Sequence, residues 1–101
     1  MIVATHQNGV TLMAVQGEMT VYTAAELAAQ WRPWLADPQS WELDLLQVTE
    51  MDGAGLQLLL LARRELSAAG ATLNLVALSP AVEQVLTLCQ LASQFKGQQR
   101  A

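Results

Sequence analysis

The sequence predicts an α/β domain in which a mixed sheet of about four strands carries three to four helices packed mainly on one face. Three observations support this class. Short β-type runs and helical patterns follow the order β-β-α-β-α-β-α, and a short final helix is expected near residues 91–95. An Asn-Gly pair separates the first two runs, as in a hairpin. The later strands alternate with helices, which favours parallel strands joined by right-handed crossovers.

The first two strands are predicted at residues 2–6 and 10–15, on either side of Asn8-Gly9. Asn-Gly readily adopts the left-handed backbone that a two-residue hairpin turn requires. Gly17 is expected to break the second strand, because glycine inside a strand weakens it.

The first helix is predicted to start at about Ala24. Thr23 and Glu26 form a capping-box pattern, in which the threonine hydroxyl accepts a hydrogen bond from the Glu26 N–H. Pro33 is expected to kink the helix or to end its regular part, and Asp37-Pro38 to form the following turn. The apolar face consists of Leu27, Trp31 and Leu35.

The second half of the chain repeats a strand–helix alternation. Residues 41–48 are rich in apolar side chains, as a central buried strand would be, and a leucine-rich helix follows Gly53. That helix should end near Gly70, and residues 72–78 form the next strand. Ser79 is an N-cap followed by proline. The stripe of the last helix is Val82, Val85, Leu86 and Cys89, and Cys89 is expected to be buried.

Composition limits the possible functions. The 101 residues support a single domain, 1–101, with a flexible tail at 96–101; 52% of the residues are apolar and 14% charged. A net charge of −4 disfavours nucleic acid or an anionic membrane as partner. No basic segment follows Met1, and the apolar run at residues 58–62 is too short for membrane insertion. The single cysteine fits a reducing cytoplasm.

The most informative segment is the strand-to-helix junction at residues 48–61. An acidic residue and two glycines, Asp52, Gly53 and Gly55, lie where an apolar strand gives way to a leucine-rich helix. A helix start offers unpaired N–H groups, and glycine allows another backbone to approach them. Between Glu50 and Gly55 there is no Ser, Thr, Cys, His or Lys, and so no nucleophile for covalent chemistry. The junction therefore predicts a binding surface and no enzymatic activity.

These residues resemble the STAS domain family, which includes bacterial anti-sigma-factor antagonists and the cytoplasmic tails of sulfate transporters. The resemblance covers nearly the whole chain, and its most specific part is the strand–Asp–x–x–Gly–Leu–helix junction. The matching pieces are Gly17-Glu18-Met19, Asp44-Leu45 with Val48, Met51-Asp52-Gly53-Ala54-Gly55-Leu56, Gly70 with Leu73 and Leu75, and Val85-Leu86 with Leu91 and Phe95.

The sequence departs from the family at the regulatory position. Family antagonists typically have Asp-Ser-Ser-Gly or Asp-Ser-Thr-Gly at this junction, and a partner kinase phosphorylates the first hydroxyl residue. The unmodified domain binds that kinase, and the phosphorylated domain does not. Here Gly53 occupies the phosphoacceptor position and Ala54 the next one, while Thr20 stands where many relatives have aspartate. The resemblance therefore implies a binding module with a degenerate phosphoacceptor position and no such switch.

Two groups within the family are especially similar. Residues 54–64 and 78–82 resemble small stand-alone STAS proteins found beside bacterial chemotaxis genes. A second set comprises the cytoplasmic STAS subunits of phospholipid-transport ABC systems, which dock on the ATPase. The implied partner is a larger regulatory protein, either kinase-like or a chemotaxis signalling component, or alternatively an ABC transporter ATPase. The residues predicted to line the partner-binding surface are Thr20, Glu50, Met51, Asp52, Gly53 and Ala54.

Several residues have alternative interpretations. Asp52 either contacts a partner or caps the following helix, and the two roles are compatible. Thr49 is a candidate surrogate phosphoacceptor, although the negative charge of its neighbour Glu50 would repel an incoming phosphate donor. Trp34 is a candidate for a second contact surface, whereas Trp31 and Trp41 are expected to pack as structural residues. Nucleotide binding at the glycines is a third hypothesis, although the loop lacks lysine and arginine. No metal or cofactor site is predicted, since the single histidine has no companion ligand.

Overall fold

The computed structural model describes residues 1–37 and 39–91. Seven elements follow one another in the predicted order. The strands are β1 (Ile2–Gln7), β2 (Val10–Met19), β3 (Ser40–Met51) and β4 (Leu73–Leu78), and the helices are α1 (Ala24–Ala36), α2 (Gly53–Ala68) and α3 (Pro80–Leu88). The turn predicted at Pro38, the final helix predicted at residues 91–95 and the tail at 96–101 lie wholly or partly outside the described residues.

The four strands form one mixed sheet in the order β1-β2-β3-β4. β1 and β2 form an antiparallel hairpin, and Asn8 and Gly9 at its turn have φ angles of 53° and 79°. β3 is parallel to both β2 and β4. Because Met19 of β2 pairs with Met51 of β3, these two strands end at the same edge of the sheet. The chain segments that follow them are therefore neighbours, although they are far apart in sequence.

The helices pack on one face of the sheet. Alternate strand residues point to that face, and Trp31 of α1 packs edge-to-face on Trp41 of β3 with ring centroids 5.3 Å apart. This confirms the structural roles predicted for these two tryptophans. The buried strand side chains include Met13, Val15, Trp41, Leu43, Leu45, Leu73 and Leu75, and those of the helices include Leu27, Trp31, Leu59, Leu66, Val82 and Leu86. In the described ranges no helix has the length and apolarity that a membrane crossing needs.

Two predicted interruptions do not end their elements. β2 continues through Gly17 to Met19, and Gly17 lies in the strand with a φ of 94° beside a shift in the β2–β3 register. Glycine therefore supplies a bulge here, which keeps the strand paired. α1 likewise continues through Pro33 to Ala36. The proline ring removes one backbone hydrogen bond. Pro33 is exposed and lies in the last turn of α1, so only a few helical residues follow it.

Two local predictions are wrong. Thr23 makes no side-chain cap of α1, because its hydroxyl accepts from the Thr20 N–H at 3.0 Å and donates to the Glu18 carbonyl at 2.9 Å. Cys89 is exposed, because α3 ends one residue earlier at Leu88 and the chain then turns through the left-handed residue Gln90. Val82 and Leu86 of the predicted stripe are buried, but α3 ends before Cys89 and so does not carry it into the core.

Candidate functional site

The strand-to-helix junction is organised by Asp52, which follows β3 and precedes α2. Its extended backbone places one carboxylate oxygen over the first turn of α2, as an N-cap requires. That oxygen, Oδ1, accepts hydrogen bonds from the Ala54 N–H at 2.9 Å and the Gly55 N–H at 3.2 Å. The capping role predicted for Asp52 is thus confirmed. Two donors at the helix tip are already paired within the protein.

The second carboxylate oxygen of Asp52 holds a different loop. Oδ2 accepts a hydrogen bond from the Val21 N–H at 2.9 Å, across 31 positions of sequence. The Asp52 N–H in turn donates to the Met19 carbonyl at 3.3 Å. The hydrogen bond from Val21, helped by those from Gly55 and Ala54, lowers the pKa of Asp52 below its ordinary value of 3.8 against a smaller opposing effect of desolvation. Asp52 therefore fastens the β2–α1 loop to the tip of α2.

The lowered pKa predicts how Asp52 affects stability as pH changes. A carboxylate with a lowered pKa stabilises the fold above its unfolded pKa, and this contribution is lost as pH falls through the folded pKa. We expect Asp52→Asn to lower the melting temperature by about 5 °C at pH 7. Asparagine has a single side-chain oxygen, which cannot accept hydrogen bonds from both the β2–α1 loop and the first turn of α2. The difference from wild type should shrink below the unfolded value of 3.8. Thermal unfolding from pH 7 to pH 2 measures it, and a difference that stays constant with pH would contradict this role.

The β2–α1 loop is held by its own polar side chains as well. Thr20, only 5% exposed, donates from its hydroxyl to the Glu18 carboxylate at 3.1 Å and accepts from the Tyr22 N–H at 3.3 Å. The Thr23 and Ala24 N–H groups both donate to the Thr20 carbonyl, at 3.0 and 2.8 Å. Thr20 was predicted to line the binding surface. The structure places it beneath that surface, where it fixes the shape of the loop.

This fixed loop presents two large side chains to solvent. Val21 is 65% exposed and Tyr22 is 90% exposed, and both immediately follow the buried Thr20. The residues predicted from sequence to line this surface included the neighbouring Thr20 but neither Val21 nor Tyr22. A Val-Tyr pair in a short loop directly after a strand is a signal that could have found them, since large apolar groups there have no core to enter. We call the residues around this tip the junction surface: the exposed Val21, Tyr22, Glu50 and Gly53, with the half-buried Ala54.

The two glycines of the junction have different surroundings. A Cβ added to Gly53 meets no atom within 4 Å, whereas one added to Gly55 lies 2.8 Å from the Met19 carbonyl carbon and closer still to its oxygen. Gly55 is therefore needed for close packing of α2 on the end of β2. Gly53 is exposed and Ala54 half-buried. Of these two glycines, Gly53 is the one that leaves room for another molecule to approach the helix tip.

The charges at this end of the sheet are negative. Glu18 and Glu50 are paired in the β2–β3 register and both are exposed, and Asp52 lies two residues beyond Glu50. Met51 is half-buried and packs against the core. A phosphate group would meet three carboxylates, while the Ala54 and Gly55 N–H groups that could bind it are occupied by Asp52. This geometry favours a protein contact over a nucleotide.

Of the remaining candidate residues, Trp34 lies away from the junction surface, whereas Thr49 directly precedes Glu50 in β3. Trp34 is half-buried, with its ring 6.0 Å from that of His6, and it packs against the core. The His6 ring also contacts the Gln39 side chain. Thr49 is exposed on β3 beside Glu50. The structure thus brings Glu50, Asp52, Gly53 and Ala54 together with the loop after β2, and leaves Trp34 outside.

Comparison with known proteins supports the fold and the family. A protein-family model described as "Mlab, STAS domain" matches residues 2–95. An anti-sigma factor antagonist from Mycobacterium paratuberculosis is structurally similar, with a TM-score of 0.84 and 24% identity over 99% of this chain and 84% of that one. The anti-sigma factor antagonist SpoIIAA in its unphosphorylated form gives a TM-score of 0.75 and 18% identity, covering 92% of this chain and 84% of that one.

Proposed function

Because this chain belongs to the STAS domain family, we propose that it is a non-enzymatic binding module of bacterial signalling, acting in the cytoplasm. Its junction surface binds a larger regulatory protein, either kinase-like or a chemotaxis signalling component. The observation that carries this proposal is the double attachment of Asp52, which fixes the helix tip and the β2–α1 loop as one preformed surface. A preformed surface loses little conformational entropy on binding.

The surface combines an apolar projection with an acidic border. Val21 and Tyr22 project from the loop, and Glu18 and Glu50 lie beside them at the ends of β2 and β3. Aromatic side chains at the centre of an interface commonly contribute most of its binding energy. The complementary partner surface is an apolar pocket bordered by basic residues, because carboxylates at the rim favour partners of opposite charge.

We further propose that the association is not controlled by phosphorylation of this chain. Gly53 has no hydroxyl group, and neither does Ala54. The Thr20 hydroxyl is buried and engaged by Glu18 and Tyr22, and Thr49 stands beside the negative Glu50. Protein purified from its native cells should therefore carry no regulated phosphate on Thr20 or Thr49 by mass spectrometry. A phosphate whose level changes with growth conditions would overturn this part of the proposal.

A substitution at Gly53 tests the surface directly. At Gly53 an added Cβ meets no atom within 4 Å, so a side chain has room to leave the backbone, and the indole ring of Gly53→Trp would obstruct a partner seated on the helix tip. We expect the affinity for the partner to fall about tenfold or more. Full-length wild type, Gly53→Trp and the matched Gly53→Ala are used to capture partners from the native host, with quantification by mass spectrometry and calorimetry.

The outcomes separate clearly. Gly53→Ala should capture the same regulatory protein as wild type, and Gly53→Trp should lose it. Equal capture by all three proteins would show that the junction surface is not the interface.

A second candidate is a constitutive subunit that docks on an ABC transporter ATPase. The same absence of a hydroxyl at Gly53 favours it, because a permanent subunit needs no release switch. Both candidates use the junction surface, so the identity of the captured protein distinguishes them. An ATPase that co-purifies stoichiometrically favours the transporter, and a signalling kinase or chemotaxis component favours the first candidate.

A further inference from the structure

The turn between β1 and β2 carries a pair of residues that can react with each other. Asn8 and Gly9 form this two-residue turn, and both are exposed. When glycine follows asparagine, its backbone nitrogen can reach the side-chain carbonyl carbon of the asparagine, Cγ, because glycine has no Cβ to hinder the approach. Whether the reaction occurs depends on how the fold holds these two residues.

The fold leaves both reacting groups of this pair unengaged. Within residues 1–37 and 39–91 no hydrogen bond involves the Asn8 side chain or the Gly9 N–H. A Cβ placed on Gly9 would meet no atom within 4 Å, so the turn is open around it. Ring closure requires the backbone of Asn8 to rotate out of its turn conformation, and an exposed turn at the edge of a sheet opens at low cost.

Two comparable positions are protected by the fold. Asp52 is also followed by glycine, but its carboxylate accepts hydrogen bonds from three backbone N–H groups of the β2–α1 loop and α2. A carboxylate held in its ionised form resists attack by a nucleophile. The other asparagine, Asn74, is half-buried within β4 and is followed by the bulky Leu75. Of the three positions, Asn8 alone combines a glycine successor with unengaged reacting groups.

We propose that Asn8 is a site of spontaneous deamidation, which converts it into a mixture of aspartate and isoaspartate. The Gly9 nitrogen gives up its proton to solvent and attacks Cγ of Asn8, the side-chain amide leaves as ammonia, and a succinimide ring closes. Water then opens the ring. Breaking the bond between the nitrogen and Cγ gives aspartate, whereas breaking the bond between the nitrogen and the backbone carbonyl carbon gives isoaspartate, whose chain continues through Cγ. Water enters and ammonia leaves, so the reaction needs neither an oxidant nor a reductant.

The two products differ in their effect on the hairpin. Aspartate followed by glycine suits the same two-residue turn as asparagine does. Isoaspartate adds a carbon atom to the backbone, so the turn no longer matches the pairing of Gln7 with Val10 that closes it. Because β1 lies at the edge of the sheet, loss of this register loosens the strand.

A loosened β1 affects the core and leaves the junction surface in place. The strand packs Ile2 and Ala4 against the buried cluster, and its His6 ring lies beside that of Trp34. The turn lies at the opposite end of β2 from Met19, after which the β2–α1 loop begins. Isoaspartate at position 8 should therefore lower stability without changing the junction surface, so deamidation and partner binding can be tested separately.

Ageing of the purified full chain tests the modification. Wild type and Asn8→Gly, which keeps a turn-compatible Gly-Gly pair, are incubated at about pH 8 and about pH 6, since the reacting nitrogen must lose its proton. Cleavage after glutamate then places the three positions in peptides 1–18, 51–65 and 66–83. In wild type we expect peptide 1–18 to gain about 1 Da, faster at the higher pH, and the other two peptides to keep their mass and elution. An unchanged peptide 1–18, or equal modification of peptide 66–83 or of Asn8→Gly, would overturn the proposal.

Separation of the aged protein by chromatography tests the effect on the hairpin. The isoaspartate form should melt about 5 °C below wild type, whereas Asn8→Asp, which reproduces the other product, should melt within about 2 °C of it. Hydrogen exchange at the β1 amides should be faster in the isoaspartate form than in Asn8→Asp. If the two proteins have equal melting temperatures and equal exchange in β1, the hairpin does not depend on the length of this turn and the proposed effect is wrong.

Discussion

Replacing Gly55 with alanine is expected to lower the free energy of unfolding by about 3 kcal/mol, at the upper end of overpacking effects. The added Cβ would lie 2.8 Å from the carbonyl carbon of Met19 and 2.9 Å from its Cβ. These are backbone and near-backbone atoms, which cannot move aside as a flexible side-chain end can. The Met19 carbonyl also accepts the Asp52 N–H, so relieving the clash disturbs the junction itself.

Gly53→Ala is the matched control, two residues earlier on the same helix. It meets no atom within 4 Å, and alanine loses less backbone entropy than glycine on entering a helix. We expect stability to be unchanged or to rise by about 0.5 kcal/mol. Urea unfolding of both variants measures the difference. If Gly55→Ala unfolds at the same urea concentration as Gly53→Ala, α2 does not depend on close contact with β2.

The order of elements could be predicted because each depends on local signals. Asn8-Gly9 specifies the hairpin, Ser79 accepts from the Val82 N–H as the expected N-cap, and Gly70 has the left-handed backbone that follows a helix end. These devices act within a few residues of sequence. Where a local signal failed, a long-range or neighbouring partner competed with it. Thr23 could cap α1, but the Glu18 carbonyl and the Thr20 N–H take its hydroxyl instead.

Only the α2 part of the junction surface could be predicted from local sequence patterns. Its α2 part follows from the order Asp52, Gly53, Ala54, which is visible in the sequence. Its loop part depends on the alignment of Met19 with Met51, which no local pattern reveals. That alignment places Val21 within hydrogen-bonding distance of Asp52. The sequence alone could not show that Tyr22, which is 90% exposed, lies beside the predicted site.

The attachment of this loop also explains how the domain can present a large side chain without losing order. The backbone on both sides of Tyr22 is fixed, through the Val21 N–H on Asp52 and the Ala24 N–H on the Thr20 carbonyl. A rigid backbone limits the entropy lost when the Tyr22 ring enters a pocket. The same rigidity means that removing the ring should leave the loop in place.

Tyr22→Ala is therefore expected to weaken partner binding about 30-fold, since loss of an anchoring aromatic residue commonly costs about 2 kcal/mol. Tyr22 is 90% exposed, so the free energy of unfolding should change by less than about 0.5 kcal/mol. Calorimetric titration with the captured partner and urea unfolding measure the two quantities on the same samples.

Leu88→Ala is the matched control, because Leu88 is also a highly exposed apolar residue, at 74%, but lies on α3 away from the junction surface. It should bind the partner as wild type does. If both variants weaken binding equally, the contact is a general effect of surface hydrophobicity. If neither does, the interface lies elsewhere. A selective loss with Tyr22→Ala at unchanged stability means that the loop after β2 supplies the anchor and that Asp52 acts by holding it against the helix tip.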